Sequence, residues 1–493
     1  MVAANMETSR QTVPMTMPPP DKRLTSGKFK DLLTYLGPGI IVASATIGNG
    51  EVFFSSRGGA IFGYALLWTF LLGAVMKGIV VYSGTKYITL TGEHPFRRWG
   101  RIMPGPKNWL ATFLGAIAVI SFPAWISAFM KITGQWTTWT FGLSSDYEKL
   151  FATMFGLIAF VILFVASFSR MEKIMNVIVA VLVLFALVAV FVARPDWSGV
   201  FRGLVPNVPT GYEGWVQAKY PDIAAKPTML EIISYLGALG GGTYDYIGYV
   251  GTLREKNWGL LGNPDLDKIQ QQMLLLKKGE ECPLPEDEKS VRTAFSWLKA
   301  VKMDTSVSFV AVFIVGSAFM ILGSVILGTG GLQVIPTDNE TIQNQMRFFT
   351  NISPVMSYFY KIAIFCAFFG GLVSLSTTVY PATFRESFGP TFPALYQPKN
   401  NSKLRVAVCA YSILGGLFVL WTGFSYSMVI SFASIIGGVF SLGVWGFAML
   451  WTEKKILPKA YRFKPVMVVL IFISSLIMFV MGLIAFLQFI HVI

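Results

Sequence analysis

Long apolar segments separated by shorter polar ones run along most of this chain. A helix needs roughly 20 apolar residues to cross the hydrocarbon core of a bilayer. Measured against that length, the pattern predicts an all-α polytopic membrane protein with about eleven transmembrane helices. We place these helices near residues 34–57, 62–88, 108–133, 150–168, 173–193, 229–252, 304–330, 353–378, 405–423, 425–451 and 465–490.

The polar segments divide the chain further. Residues 1–30 contain three successive prolines and lack the apolar core of a signal peptide, so we predict a disordered cytoplasmic tail. Residues 31–493 would then form a single transmembrane domain. The longest polar stretch inside it, residues 253–303, is predicted to be a cytoplasmic insertion.

Composition supports a membrane protein and gives its orientation. The chain is 54% hydrophobic and only 13% charged, whereas soluble domains carry about 25% charged residues. The net charge of +14 is explained by Lys and Arg in loops on one face, and not by a nucleic-acid partner. The positive-inside rule therefore predicts a cytoplasmic N-terminus, in a plasma or inner membrane.

The first apolar segment contains an unusual polar stretch. Residues 44–51 read Ser-Ala-Thr-Ile-Gly-Asn-Gly-Glu, with two glycines around Asn49 and a carboxylate at Glu51. A spanning helix should be continuous, because lipid cannot hydrogen-bond a free backbone amide. An interruption is tolerated only where it lines a cavity or is buried in protein. We therefore predict a broken helix that forms half of a substrate site.

The sixth apolar segment has a matching stretch. Residues 240–242 are three successive glycines, each unfavourable in a helix by roughly 1 kcal/mol relative to Ala, and Asp245 follows them. An aspartate at the bilayer centre costs at least about 2.5 kcal/mol. Interruptions at corresponding positions of two halves are the best sequence indication of a transporter built on inverted repeats. Spans one to five and six to ten would be the repeats, and span eleven an added last helix.

These two stretches supply the predicted substrate-binding residues, which are Gly48, Asn49, Glu51, Thr243, Tyr244 and Asp245. Of these, Glu51, Asp245 and Asn49 are predicted to bind metal, together with freed backbone carbonyls. Such oxygen ligands favour hard cations. The alternatives are a solvated Glu51, a structural Asp245, and a glycine-bounded break that receives the carboxylate of an organic substrate.

Three lysines, Lys77, Lys131 and Lys361, also lie in apolar segments. Each either serves the site, by replacing a coupling ion or pairing with Asp245, or extends to the membrane surface from near a helix end. The two histidines, His94 and His491, are expected in a loop and at the C-terminus. Neither position favours a histidine-based metal site or proton relay.

One stretch of the chain resembles a known family. The block from Gly-Pro-Gly at 37–39 to Gly-Tyr-Ala-Leu-Leu-Trp at 63–68 is similar to the first-span block of the Nramp family of divalent metal transporters. This resemblance implies an inverted five-plus-five repeat of the LeuT type and coupled import of a divalent cation at two broken helices.

The motifs of that family are changed here. Its first-span Asp-Pro-Gly-Asn falls on residues 48–51, which read Gly-Asn-Gly-Glu, and its span-six Met-Pro-His falls on Tyr244, Asp245 and Tyr246. The metal-binding Asp, Asn and Met of the family are therefore replaced, and so is its histidine. Each half still has one acid, at a shifted position. We interpret the chain as a divergent member or relative of the family.

The predicted function is secondary transport of a divalent metal cation, such as Mg²⁺, Mn²⁺ or Fe²⁺, by alternating access. The main alternative is a cation-coupled symporter of an amino acid or other small organic solute, and a sensor that binds without transport is a third class. We expect no enzyme, because no nucleophile–histidine–acid or histidine–metal arrangement is present. No resident cofactor is expected. The predicted partners are the transported ion and the lipid bilayer, and the oligomeric state stays open.

Overall fold

The structure, a computed structural model, describes residues 13–165, 167–277, 279–336, 343–344, 346, 354–423 and 426–490. Within these ranges the side chains at positions 44, 45, 48, 49, 168, 354, 356, 426 and 427 are outside the description.

Helices build the membrane body, and the described residues contain no strand. Apart from short helices in the tail and the loops, the α-helices are α1 (Pro38–Thr46), α2 (Ser55–Phe62), α3 (Leu67–Thr91), α4 (Trp109–Phe141), α5 (Glu148–Ile162), α6 (Phe168–Ala193), α7 (Thr228–Ala238), α8 (Thr243–Thr252), α9 (Glu288–Leu322), α10 (Pro354–Ser374), α11 (Tyr380–Phe388), α12 (Asn401–Thr422), α13 (Tyr426–Ala433), α14 (Ser441–Ile456) and α15 (Pro465–Phe489). Stretches of π-helix occupy Ile47–Phe54, Gly323–Leu327, Leu375–Val379 and Ser434–Phe440.

Eight helical stretches among the described residues are long and apolar enough to cross a membrane. The protein is therefore an integral membrane protein. Three predicted spans fall outside this set, near 34–57, 150–168 and 229–252. They correspond to helical residues 38–62 and 148–162 and to the two helices 228–238 and 243–252, and the total of eleven stays a prediction.

The first predicted interruption is not a break. The helix continues from Pro38 to Phe62, and its middle, Ile47–Phe54, widens into π-helical turns. A π turn accommodates extra residues by bonding each N–H to a carbonyl one residue further back. The glycines around Asn49 therefore widen this helix without unwinding it, and the prediction of a broken first span is wrong.

The second predicted interruption is a true break. Helix α7 ends at Ala238 and α8 begins at Thr243. Between them the φ angles of Gly240 and Gly241 are +69° and +84°, in the left-handed region that favours glycine. The predicted break in span six is confirmed, and we call residues 239–242 the helix break.

Segments predicted to share the tail face do contact one another. The Asn263 side chain donates to the carbonyl of Thr16 at 2.7 Å, and the Trp297 indole donates to that of Pro18 at 2.8 Å. Part of the predicted tail, within residues 13–30, is therefore in contact with the insertion at 253–303. Residues 1–12 lie outside the described residues, and the division of the chain into domains stays a prediction.

The opposite face is built from other loops. The Trp68 indole donates to the carbonyl of Asn207 at 2.9 Å, and the Trp215 indole donates to Thr329 Oγ1 at 3.2 Å. The loop at 194–228 therefore contacts the start of α3 and residues that follow α9. Which face is cytoplasmic stays a prediction.

Candidate cation site at the helix break

A lysine side chain binds the carbonyls that the helix break exposes. Lys77 Nζ, from the middle of α3, donates to the carbonyl oxygens of Gly237 at 2.9 Å, Leu239 at 2.6 Å and Gly241 at 2.7 Å. An ammonium group has three donors, so all of them are used. The lysine is only 1% exposed. A tethered cation thus occupies a ring of carbonyl oxygens at the centre of the protein.

Two carboxylates bind the amides of the same break. Glu51 Oε1 accepts a hydrogen bond from the backbone N–H of Gly240 at 2.6 Å. Asp245 Oδ2 accepts one from the N–H of Gly242 at 3.1 Å. The peptide units 239–240 and 241–242 are therefore each held at the carbonyl by Lys77 and at the amide by an acid.

Each acid also has an unused oxygen. Glu51 and Asp245 are 0% and 2% exposed, and Glu51 Oε2 and Asp245 Oδ1 have no hydrogen-bond partner among the described residues. A buried acceptor without a partner is costly. Beside Asp245 lies a cavity of about 10 Å³, lined also by Trp125, Tyr244 and Tyr380, with room for about one water molecule. The Asp245 side of the break therefore has space for a small ligand.

The other predicted site residues are placed differently. The Thr243 hydroxyl donates to the carbonyl of Gly437 at 3.0 Å, in the π-helix before α14. The Tyr244 ring packs against Trp125, with ring centroids 5.3 Å apart. The side chains at Gly48 and Asn49 lie outside the described residues. Of the predicted set, the structure brings Glu51 and Asp245 together at the break, and directs Thr243 to a neighbouring helix.

Sequence reasoning missed two contributors. Lys77 was noted as an intramembrane cation, but its partners could not be read from the sequence. Tyr246 was noted only at the position of the family's histidine, although its hydroxyl donates to the carbonyl of Gly240 at 2.5 Å. The other two lysines lie elsewhere: Lys131 lines a cavity with Glu148, and Lys361 Nζ lies 4.5 Å from the centre of the Trp139 ring.

His94 lies away from the break. It precedes the short helix Pro95–Ile102, and its Nε2 is 3.2 Å from the carbonyl of Ile247. Burial lowers the pKa of this ring to about 4, so His94 is neutral near pH 7. His491 lies outside the described residues.

Both ends of the 38–62 helix are tied down. At the tail-face end, the Asp304 carboxylate accepts from the N–H groups of Gly37 at 2.8 Å and Gly39 at 2.9 Å, and from the Tyr249 hydroxyl at 2.9 Å. These bonds connect α9 and α8 to the start of α1. They close the protein between the break and the tail face.

At the other end of the 38–62 helix, a buried ion pair connects the helix to α7. Arg57, from α2, lies 3.2 Å from the Glu231 carboxylate of α7, which also accepts from the Tyr235 hydroxyl at 2.6 Å. The break therefore lies between two sets of polar contacts, one toward each face, in a closed conformation.

Comparison with known proteins finds similarity in the first half of the chain. The family model described as natural resistance-associated macrophage protein-like, Nramp, matches residues 39–240. The chain is 27% identical over 186 residues to a divalent metal cation transporter, MntH, of Caldanaerobacter subterraneus, covering 37% of this chain and 42% of that protein. It is 26% identical over 221 residues to MntH of Yersinia pestis, covering 42% and 50%. The chain is therefore similar to Nramp proteins over residues 39–240.

The chain spans half or less of the length of the curated relatives it matches. The family match includes Glu51 and Lys77 and ends at Gly240, before Asp245. A solved structure, the Eremococcus coleocola manganese transporter in complex with an aromatic bis-isothiourea substituted compound, aligns with a TM-score of 0.63 at 15% identity, covering 97% of this chain and 90% of that one. The predicted inverted five-plus-five fold is confirmed.

Proposed function

We propose that this protein is a secondary transporter that moves a divalent metal cation across a plasma or inner membrane by alternating access, with its N-terminus in the cytoplasm. The observation that carries the proposal is the pair of buried acids at the helix break. Glu51 and Asp245 each keep one oxygen without a partner among the described residues, beside carbonyls already arranged around a cation. Similarity to proteins named divalent metal cation transporters supports it.

The charges at the site favour exchange over simple addition. With two carboxylates and one ammonium ionised, the site carries a net charge of −1. A divalent cation that replaces the ammonium brings this sum to zero, whereas one that joins it gives +1 in a buried place, where unbalanced charge is costly. Lys77 has a flexible four-carbon stem that allows it to withdraw. We therefore infer that the transported cation and the Lys77 ammonium alternate at the break carbonyls.

The ligands would all be oxygens. Carboxylate and carbonyl oxygens suit Mg²⁺ and Mn²⁺. The described residues hold no group of three or more His, Cys, Asp or Glu side chains that could bind a metal ion, so backbone carbonyls would have to supply the remaining ligands. Alternating access would then require the two sets of polar contacts to open in turn. The Asp304 contacts would open toward the tail face, and the Arg57–Glu231 pair toward the opposite face.

Uptake into proteoliposomes tests the function. We expect the purified protein to accumulate labelled Mn²⁺, with unlabelled Mg²⁺ as competitor, and not labelled amino acids. Glu51→Gln and Asp245→Asn should each lower the initial rate at least tenfold, because each removes one of the two charges that balance the ion. Glu288→Gln, at an exposed helix start, is the matched control. Unchanged Mn²⁺ uptake in both variants, or accumulation of an amino acid, would reject the proposal.

A further inference from the structure

A deep groove opens on the lipid-facing side, away from the helix break. It lies between α3, α9 and the start of α15, and its volume is about 690 Å³. Along α3 it extends from Leu71 to Lys86, ~22 Å at about 1.5 Å of rise per residue. One leaflet of the hydrocarbon core is ~15 Å deep, half of roughly 30 Å. The groove is therefore long enough for an acyl chain that lies parallel to the helices.

The groove is apolar at depth and basic at one end. Its apolar wall includes Val75, Phe309 and Phe313, and its tail-face end includes Lys86, Lys302, Arg462 and Lys464. No acidic side chain is among the described residues that line it. A single-sign cluster above an apolar slot matches an anionic head group with attached chains.

Two of the four cations form no ion pair with a described residue. Lys86 pairs with Glu453, and Arg462 pairs with Glu281 at 2.6 Å. Lys302 and Lys464 are exposed and form no ion pair with any described residue. Lys302 lies on α9 and Lys464 lies immediately before α15, and both line the groove.

The groove also borders the helix break. A Cβ on Gly78 would lie 3.3 Å from the Phe309 ring, and one on Gly240 would lie 3.2 Å from it. The Phe309 ring thus lies between the groove and the break. A chain in the groove would contact this ring directly.

We propose that this groove binds an anionic glycerophospholipid, with the phosphate at Lys302 and Lys464 and an acyl chain against Val75 and Phe309. The lipid proposal depends on the membrane assignment and not on the transported ion, so it can fail independently of the proposed function. A zwitterionic lipid lacks the net charge that the two free lysines require, and a protein partner would need no slot of this depth.

Lipid retention measured by native mass spectrometry tests the site. The full chain, delipidated in detergent, is incubated with phosphatidylglycerol or with phosphatidylcholine of identical chains. We expect selective retention of phosphatidylglycerol, weakened about thirtyfold in Lys302→Gln/Lys464→Gln. This follows from about 1 kcal/mol per basic residue, with 1.4 kcal/mol per factor of ten. The control Lys399→Gln/Lys403→Gln removes two exposed lysines of the same face that do not line the groove.

A second variant tests the acyl chain. Val75 is 48% exposed at the groove wall, so Val75→Trp fills the slot and leaves the basic end intact. We expect it to reduce phosphatidylglycerol retention at least tenfold. Equal retention in the double lysine variant and its control, equal retention of both lipids by the unmodified chain, or full retention in Val75→Trp would each overturn the proposal.

Discussion

The two glycine-and-acid stretches of this protein look alike in sequence and fold differently. In the first, single glycines alternate with larger residues, and the helix widens but stays bonded from Pro38 to Phe62. In the second, consecutive glycines adopt positive φ, and the chain leaves the helix between Ala238 and Thr243. A glycine beside an acid therefore does not by itself decide whether a membrane helix breaks.

What differs is where the backbone groups find partners. The widened helix satisfies its own amides and carbonyls. The break depends on side chains from other elements: Lys77 for three carbonyls, Glu51 for one amide and Tyr246 for another carbonyl contact. The first stretch thus contributes its acid to stabilise the second. Substitutions of these partners should cost much more than matched substitutions inside the first helix.

Removing the lysine should have the largest effect. Lys77→Met leaves three buried carbonyls and two carboxylates without their cation, and breaking a buried charge pairing typically costs about 3 to 5 kcal/mol. We expect a clear fall in the thermal unfolding midpoint in detergent, followed by tryptophan fluorescence. Lys399→Met, at an exposed position, is the control and should leave the midpoint unchanged. Equal midpoints for the two variants would show that Lys77 does not hold the break.

Forcing the two stretches apart should have the next largest effect on stability. A Cβ at Gly50 would lie 2.3 Å from the carbonyl oxygen of Ala238, so Gly50→Ala forces the widened helix away from the end of α7. Overpacking of this kind costs typically about 1 to 3 kcal/mol. The same unfolding assay measures it. Gly214→Ala, where a Cβ meets nothing within 4 Å, should be neutral, and a neutral Gly50→Ala would contradict the close approach.

A matched hydroxyl pair gives the smallest and most direct contrast. Tyr246→Phe removes the hydroxyl on the Gly240 carbonyl and should cost about 1 kcal/mol. Thr46 Oγ1 bonds the Ala43 carbonyl at 3.1 Å, but that carbonyl also accepts from the N–H of Ile47 within the helix. Thr46→Val should therefore cost clearly less than Tyr246→Phe. If Thr46→Val costs more than Tyr246→Phe in denaturant or thermal unfolding, the first helix does not satisfy its own backbone groups.

The membrane helices and the span-six break could be predicted because apolar length and consecutive glycines act locally. The continuity of the first helix could not, because alternating glycines are compatible with both a break and a π turn, and only the hydrogen-bond register decides between them. The roles of Lys77 and Tyr246 depend on which helices become neighbours. The sequence predicted a common site for Glu51 and Asp245, but it left open whether Lys77 serves that site or extends to the membrane surface.

Calorimetric titration of Mn²⁺ into the purified protein tests most directly whether Lys77 holds the position of the transported cation. We predict saturable binding to the unmodified chain, binding at least tenfold weaker in Glu51→Gln, and tighter binding in Lys77→Met, where no ammonium competes for the break carbonyls. Equal affinities in all three proteins would contradict the account, and so would the absence of binding to Lys77→Met that remains folded.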